Sequence, residues 1–354
     1  MTYPDLSGRD LSGGLPIEKE SVIQAAPTEP YWSENLLFSV FDPANDLALW
    51  LHLGTRPEEW TLWEDHVFVA LPGDGGVLSL WSYHKTAPER RPAGAVLEFK
   101  CVEPFKLWKV TFDGYAQLNA NADMWRGRAP DGRKVRLIID VEMHSITPAW
   151  DAHASATGDK GHGGMNTQGW AKEHYEQLVV ARGRVTVEGK TYDYSGTGWR
   201  DHSRGVRVPH AQRKTWGGHM IASAVFPSGR SFVCSTYWDR EGIISLEGGA
   251  VMEKDGAHHD AAVVERPRLR YLQARGERLP VGLRWDGGEL SVICASRKSV
   301  WVQIERWTLG KDLDGPGHMY VLDYGSVDWD GETGAFYIER SEPLNVRPEH
   351  IRPA

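Results

Sequence analysis

Cysteine is scarce in this chain: Cys101, Cys234 and Cys294 are the only three in 354 residues. An odd, widely spaced set makes no disulfide framework, and no Cys-x-x-Cys pair is present to hold zinc. Basic runs are also missing and the formal net charge is −8, so nucleic-acid binding has no electrostatic footprint. No apolar run approaches the length of a membrane span. The opening Met1-Thr2-Tyr3-Pro4-Asp5 shows no basic region followed by an apolar stretch. The expected setting is therefore a reducing cytoplasm, without a secretory leader. Familiar signatures are absent too: no Gly-x-x-x-x-Gly-Lys-[Ser/Thr], no Gly-x-Gly-x-x-Gly opening a helix, no Gly-x-Ser-x-Gly and no His-Glu-x-x-His. Helical periodicity is nearly lacking; Gln168–Glu176 and Arg56–Trp63 alone could hold a few turns.

What the chain has is tryptophan, with 16 residues against 12 Tyr and 9 Phe, which favours an aromatic-lined cavity. It also has short alternating apolar segments cut by turn signals. Val77–His84 follows His66–Leu71 across Pro72-Gly73-Asp74-Gly75-Gly76, a hairpin pattern. Gln177–Val187 and Thr191–Tyr194 flank Glu188-Gly189-Lys190, and His219–Phe226 and Ser231–Trp238 flank Pro227-Ser228-Gly229-Arg230. Many short strands with Gly-rich turns predict an all-β antiparallel sandwich or barrel, and the length calls for two domains. Residues 1–25 read as an N-terminal arm, 26–195 as the first domain and 196–354 as the second. Trp150–Trp170, rich in Gly, reads as a lid or loop, and Gly248–Asp260 as a long inter-strand loop.

Several acidic and histidine features are assigned to structure. Asp312-Leu313-Asp314 and Asp328-Trp329-Asp330 resemble the acidic clusters of terpenoid cyclases, but each precedes Gly at a turn. His153, His162 and His174 lack metal-ligand spacing, and His258-His259 sits in a polar loop, so no metal is expected. Chemistry concentrates in Gly196-Thr197-Gly198-Trp199-Arg200-Asp201-His202-Ser203-Arg204-Gly205. Asp201 beside His202 makes an acid–base pair, and Arg200, Arg204 and Arg207 bring fixed charge. Such a group is either an Arg/Asp/His clamp between two halves or a site where a partly buried carboxylate delivers a proton.

Glu176-Gln177, the following hairpin and the 196–205 motif resemble the carotenoid 1,2-hydratase (hydroxyneurosporene synthase) superfamily, which includes AttH-like proteins, kievitone-hydratase-like enzymes and fungal Diels–Alderases. Tyr31-Trp32-Ser33-Glu34 extends the likeness toward bacterial members, and it covers most of the chain from Tyr31. The resemblance implies two consecutive lipocalin-like β-barrels with a ligand held in a barrel cavity near the Asp-His segment. It also implies function for the His and Trp of an Asp-His-x-Trp-Gly motif and for a downstream Tyr-x-Asp. Carried over by motif, the His is His202, the Trp position is Arg204, and the second pair is Tyr237 and Asp239. Arg in place of Trp would repel a carbocation and would bind a carbonyl, carboxylate or phosphate instead.

The expected catalytic residues are thus Asp239, Tyr237, His202 and Asp201, with Arg204, Arg200, Trp199, Trp238 and Glu176 lining the substrate. The expected activity is a cofactor-independent hydratase, cyclase or isomerase, a lyase- or isomerase-type enzyme using acid chemistry on a hydrophobic terpenoid-like molecule. Two alternatives stand beside it: a non-catalytic lipocalin-like binding protein, and a pericyclase that shapes a reactive substrate. The sequence leaves a homodimer open and names no substrate.

Overall fold

The computed structural model describes residues 8–22, 25, 27–125, 132–208, 216–303, 318–344 and 346–353. Alternating side chains build its first half from β1 (Trp32–Asp42), β2 (Leu47–Arg56), β3 (Glu59–Ala70), β4 (Val77–Lys85), β5 (Leu97–Glu103), β6 (Leu107–Asn119), α1 (Asn121–Met124) and β7 (Lys134–Ser145). The short β8 (Trp150–Asp151), α2 (Ala152–Thr157) and β9 (His162–Gly163) lead to the long hairpin β10 (Glu173–Val187) and β11 (Lys190–Val206). Antiparallel pairing runs β11-β1-β2-β3-β4-β6-β7-β10 and closes through β10–β11, an eight-stranded barrel among the described residues.

The second half contains β12 (Trp216–Val225), β13 (Ser231–Asp239), β14 (Ile244–Met252), β15 (His258–Glu265), β16 (Leu272–Gln273), β17 (Arg278–Trp285), β18 (Gly288–Gln303), β19 (Met319–Trp329), β20 (Glu332–Glu342) and β21 (Ile351–Arg352). Pairing runs β13-β12-β20-β19-β18-β17-β15-β14 and returns through β13–β14, a second ring. The all-β, two-barrel expectation holds. β9, from the first half, pairs with β14 of the second ring.

Both interiors are packed. Leu47, Leu49, Leu51 and Leu53 of β2 fill the first barrel with Val67, Val69, Trp108, Phe112 and Ile139, all at most 1% exposed. Met220, Ala222, Cys234, Leu279, Val281 and Ile338 fill the second. The expectation of a guest inside a barrel is therefore corrected: an eight-stranded barrel can hold either its own side chains or one small ligand, and here the side chains fill both interiors. The aromatic surplus is divided between the barrel cores, which take Trp63, Trp108, Trp238, Trp285 and Trp329, and the outer faces. A third apolar cluster joins Leu37, Trp50, Phe68, Leu178 and Trp199 of the first barrel to Ile221, Val233, Tyr237, Tyr324 and Tyr337 of the second. Ser39 Oγ and Tyr324 OH, 2.9 Å apart, stitch the same seam.

Other expectations shift in register. The boundary drawn at 195/196 falls inside β11, which continues to Val206 as a first-barrel strand, so the second barrel starts with Trp216. The described part of the expected arm is docked, with Leu11 and Glu20 buried. Neither helix candidate is helical: Glu173–Glu176 opens β10 and Glu59–Trp63 opens β3. Gly248–Met252 belongs to β14, leaving a short turn before β15. The Trp150–Trp170 stretch packs α2 and Met165 against the seam. Asp312-Leu313-Asp314 lies outside the described residues.

Glycine in the 196–205 motif serves strand approach. A Cβ on Gly198 would sit 2.0 Å from the Ser39 carbonyl oxygen, whereas one on Gly169 would meet nothing within 4 Å. Gly198→Ala is expected to cost about 1–3 kcal/mol by overpacking, and Gly169→Ala to be near neutral. Urea denaturation of the two variants side by side checks this; equal midpoints would refute it.

Candidate functional site

A strand sends successive side chains to opposite faces, and residues directly opposite across a pair share a face. On the first barrel one such row runs Glu176, Asp201, Leu37, His52, His66 and Trp81 across β10, β11, β1, β2, β3 and β4. Beside it runs Trp199, Ser39, Trp50 and Phe68. On the second barrel Tyr237, His219, Ser341 and Tyr320 form a row, with Ser235, Ile221, Glu339 and Leu322 next to it. These faces meet in the seam.

Glu176 is the best-anchored group there. It is fully buried and accepts hydrogen bonds from the Trp199 indole at 2.7 Å and from Ser235 Oγ of the second barrel at 2.9 Å. His174 Nε2 lies 2.8 Å from Glu176 Oε1. His174 Nδ1 in turn lies 3.9 Å from Asp201 Oδ2. Burial pulls the His174 pKa down, but the hydrogen bond and charge of Glu176, helped by Asp201, outweigh it and raise it. Asp201 moves further: burial, with Glu176 and Glu339 nearby, pushes its carboxyl up to about 7 against the pull of His174 and Arg207. Its Oδ1 has no hydrogen-bond partner among the described residues.

Rings wall the site on both sides. Tyr237 stacks between Trp170 at 5.1 Å and His219 at 5.3 Å, and Trp216 stacks between His219 and His318. On the first barrel, His66 stacks on Trp81 at 3.9 Å and lies edge-on to Trp50. Behind the second wall, Glu339 accepts from Tyr337 OH and lies 2.8 Å from His219 Nε2, while Ser341 Oγ lies 2.7 Å from His219 Nδ1. The seam is tight beside Glu176, where a cavity between Trp150, Leu178, Val233 and Ala250 measures about 10 Å³. At its other end Trp81, Tyr83, Trp216 and Tyr320 are half-buried.

Of the residues expected from sequence, Asp201, Tyr237, Glu176 and Trp199 come together in this seam. His202 does not. Adjacent to Asp201 on a strand, it faces the other way, fixed between Tyr175 OH at 2.8 Å and Glu34 Oε1 at 2.7 Å. Arg200 also faces the barrel end, held by Glu20 at 3.0 Å and by Gln177. Arg204 pairs with Glu173 at 2.6 Å. Trp238 is part of the second-barrel core, with the Arg268 guanidinium over its ring. Asp239 ends β13, and its Oδ1 accepts the backbone N–H groups of Glu241 and Ile243, so the turn holds it away from the seam. Sequence reasoning passed over His52, Glu64, His66, Trp170, His219 and Glu339 as site residues, named Arg207 only as a fixed charge, and weighed His174 only as a metal ligand. A signal existed in β2 and β3, whose even positions read Trp50, His52 and Glu64, His66, Phe68 instead of the Lys and Glu of a wet face. Among the described residues no group of three His, Cys, Asp or Glu could hold a metal ion.

Two consecutive antiparallel rings joined face to face define a double lipocalin-like barrel protein. Residues 18–342 match the family described as Domain of unknown function (DUF7064), and the chain belongs to that family. Among solved structures it is similar to an AttH protein from Nitrosomonas europaea, with 14% identity, a TM-score of 0.54, and coverage of 88% of this chain and 92% of that one. It is also similar to CghA solved with Sch210972, with 9% identity, a TM-score of 0.52 and coverage of 89% of each chain. Kievitone hydratase from Nectria haematococca aligns at 11% identity, with a TM-score of 0.46 over 88% of each chain. The AttH likeness is of the kind to which the 196–205 motif pointed, and at such identities the likeness is one of fold. No curated protein matches this sequence. Among the described residues no helix is long and apolar enough to cross a membrane.

Proposed function

We propose that the inter-barrel seam binds a hydrophobic, unsaturated small molecule and that Asp201 acts on it as a general acid, which makes the protein a hydratase or isomerase working without an organic cofactor. The observation that carries this is a carboxyl group with an unpartnered oxygen, poised near neutrality, among stacked rings contributed by both barrels. CghA, which shares the fold, has been solved with a small molecule.

The Asp201 O–H gives its proton to one alkene carbon, and the C–H bond forms as the π bond breaks. The positive charge left on the other carbon faces ring π systems, which stabilise cations. Water then forms the C–O bond and returns a proton to the Asp201 carboxylate, for net addition of water. Loss of an adjacent C–H proton to the same carboxylate gives an isomer instead. His174, fixed by Glu176, lies 3.9 Å from the carboxyl and acts on it through its charge, and Tyr237 supplies the opposing ring.

Isotopes read both outcomes. Terpenoid and aryl alkenes that quench the protein's tryptophan fluorescence are incubated with it in D₂O and in H₂¹⁸O. Hydration gives one deuterium and one ¹⁸O per product, and isomerisation gives deuterium alone. Recovery of every bound alkene without either label would reduce the seam to a binding site.

A further inference from the structure

Among the described residues, one cation of the seam stands out because no carboxylate lies within ion-pair distance of it. Arg207 follows β11 and donates from Nη2 to Ser203 Oγ at 3.1 Å, while its Nε has no hydrogen-bond partner among the described residues. The neighbouring arginines are engaged: Arg200 with Glu20, Arg204 with Glu173, and Arg56 with Glu58 and Glu64. The carboxyl groups that feel Arg207 are Asp201 and Glu64; burial raises the pKa of both against its pull, and Glu64 already pairs with Arg56. Tyr237 and Tyr320 of the second barrel lie within its electrostatic reach.

The surroundings of this guanidinium match an unsaturated, oxygen-bearing guest. His52 Nδ1 and His66 Nε2 are buried without hydrogen-bond partners among the described residues. Burial keeps both imidazoles neutral, His52 at about 3, so they can hydrogen-bond an oxygen without adding charge. Trp50 stacks with His52 at 5.7 Å and Trp81 with His66 at 3.9 Å, and the two pairs stand nearly perpendicular, the His52 and His66 rings meeting at 84°. In the cross-strand row, Asp201 and His52 flank Leu37.

Taking the seam as the binding site proposed above, we infer that its substrate is an unsaturated carboxylic acid: a planar conjugated body whose carboxylate sits on Arg207, with the double bond directed toward Asp201. A guanidinium recognises carboxylate by a charge-assisted, planar fork. A neutral hydrocarbon would leave that cation desolvated and unpaired, which is costly. Arg204, the residue from which the sequence led us to expect this role, is already paired.

The test compares 3-(2-naphthyl)acrylic acid with its methyl ester, by quenching of tryptophan fluorescence at about pH 6, where the ligand is ionised and Asp201 is still protonated. The acid is expected to bind the natural protein about ten-fold or more tightly than the ester, the effect of one charge-assisted hydrogen bond. Arg207→Gln should erase that preference, and Arg207→Lys should retain part of it, with thermal melts confirming that both variants fold. Equal binding of acid and ester, or a preference that survives Arg207→Gln, overturns the inference. Ester binding that is lost in Tyr237→Ala still supports the seam as the site. Failure of both ligands to bind at millimolar concentration overturns the seam reading along with the carboxylate.

Discussion

Arg340→Met is expected to destabilise the protein by about 3–5 kcal/mol, the cost of stranding buried charge. Arg340 is 1% exposed and reaches Glu277 through Nη1 at 2.8 Å and Nη2 at 2.7 Å. Its Nη2 and Nε also donate to Asp323 Oδ2 at 2.8 and 3.1 Å, and Ser299 Oγ donates to the other Asp323 oxygen. Burial pushes Asp323 up to about 6 even with the guanidinium present. Methionine fills comparable volume but leaves two adjacent carboxylates without a cation. The loss should therefore be large at about pH 8 and smaller at about pH 5, where the stranded carboxyls can take up protons. Urea melts at both pH values check this. A loss below about 1 kcal/mol, or one that does not vary with pH, would mean that the network is worth no more than a surface ion pair.

The first barrel contains a counterpart, Arg200 with Glu20 and Gln177, and the comparison shows what sequence can and cannot reveal. Strands were legible wherever one face alternates, as in Leu47, Leu49, Leu51 and Leu53, and wherever a Gly-rich turn divides two such runs. The fold class followed from that pattern. Which face points inward did not, because β1 is buried on both sides from Ser33 to Asp42 and its pattern has no polar side to mark solvent. Trp50, His52 and His66 were therefore open to being read as barrel lining, although they coat the outside. Adjacency misled in a second way: Asp201 and His202 look like an acid–base pair in the sequence, yet a strand separates them onto opposite faces. Asp239 shares a spacing of two with Tyr237, but the strand stops there and the turn amides capture its carboxylate. Glu20 sits in an unpatterned segment, and no local signal could have tied it to Trp108, Tyr175 and Arg200.

Asp201→Asn separates the catalytic role from a structural one, because the two predict opposite effects. As general acid, Asp201 is expected to contribute about 10²–10⁴-fold to turnover, all of which the amide loses while substrate still binds. On the proposed reading the active form is the protonated carboxyl. The rate should therefore fall as pH rises through about 7, the value to which burial lifts this group. Stability follows the same titration with its own sign. A carboxyl whose folded pKa lies above its unfolded value costs nothing below the unfolded pKa. The cost grows as pH climbs toward the folded value, by about 1.4 kcal/mol for each pH unit that separates the two. Asn carries no charge to bury. The variant should thus match the natural protein near pH 4 and be more stable by a few kcal/mol near pH 8, as calorimetry at the two pH values would show. A residue that merely clamped the barrels together through His174 would behave in the opposite way, losing stability at pH 8 when its charge is removed. An enzyme that becomes sturdier as it becomes inactive is what a strained, desolvated acid requires. A variant that is weaker and still turns over substrate would place the chemistry elsewhere in the seam.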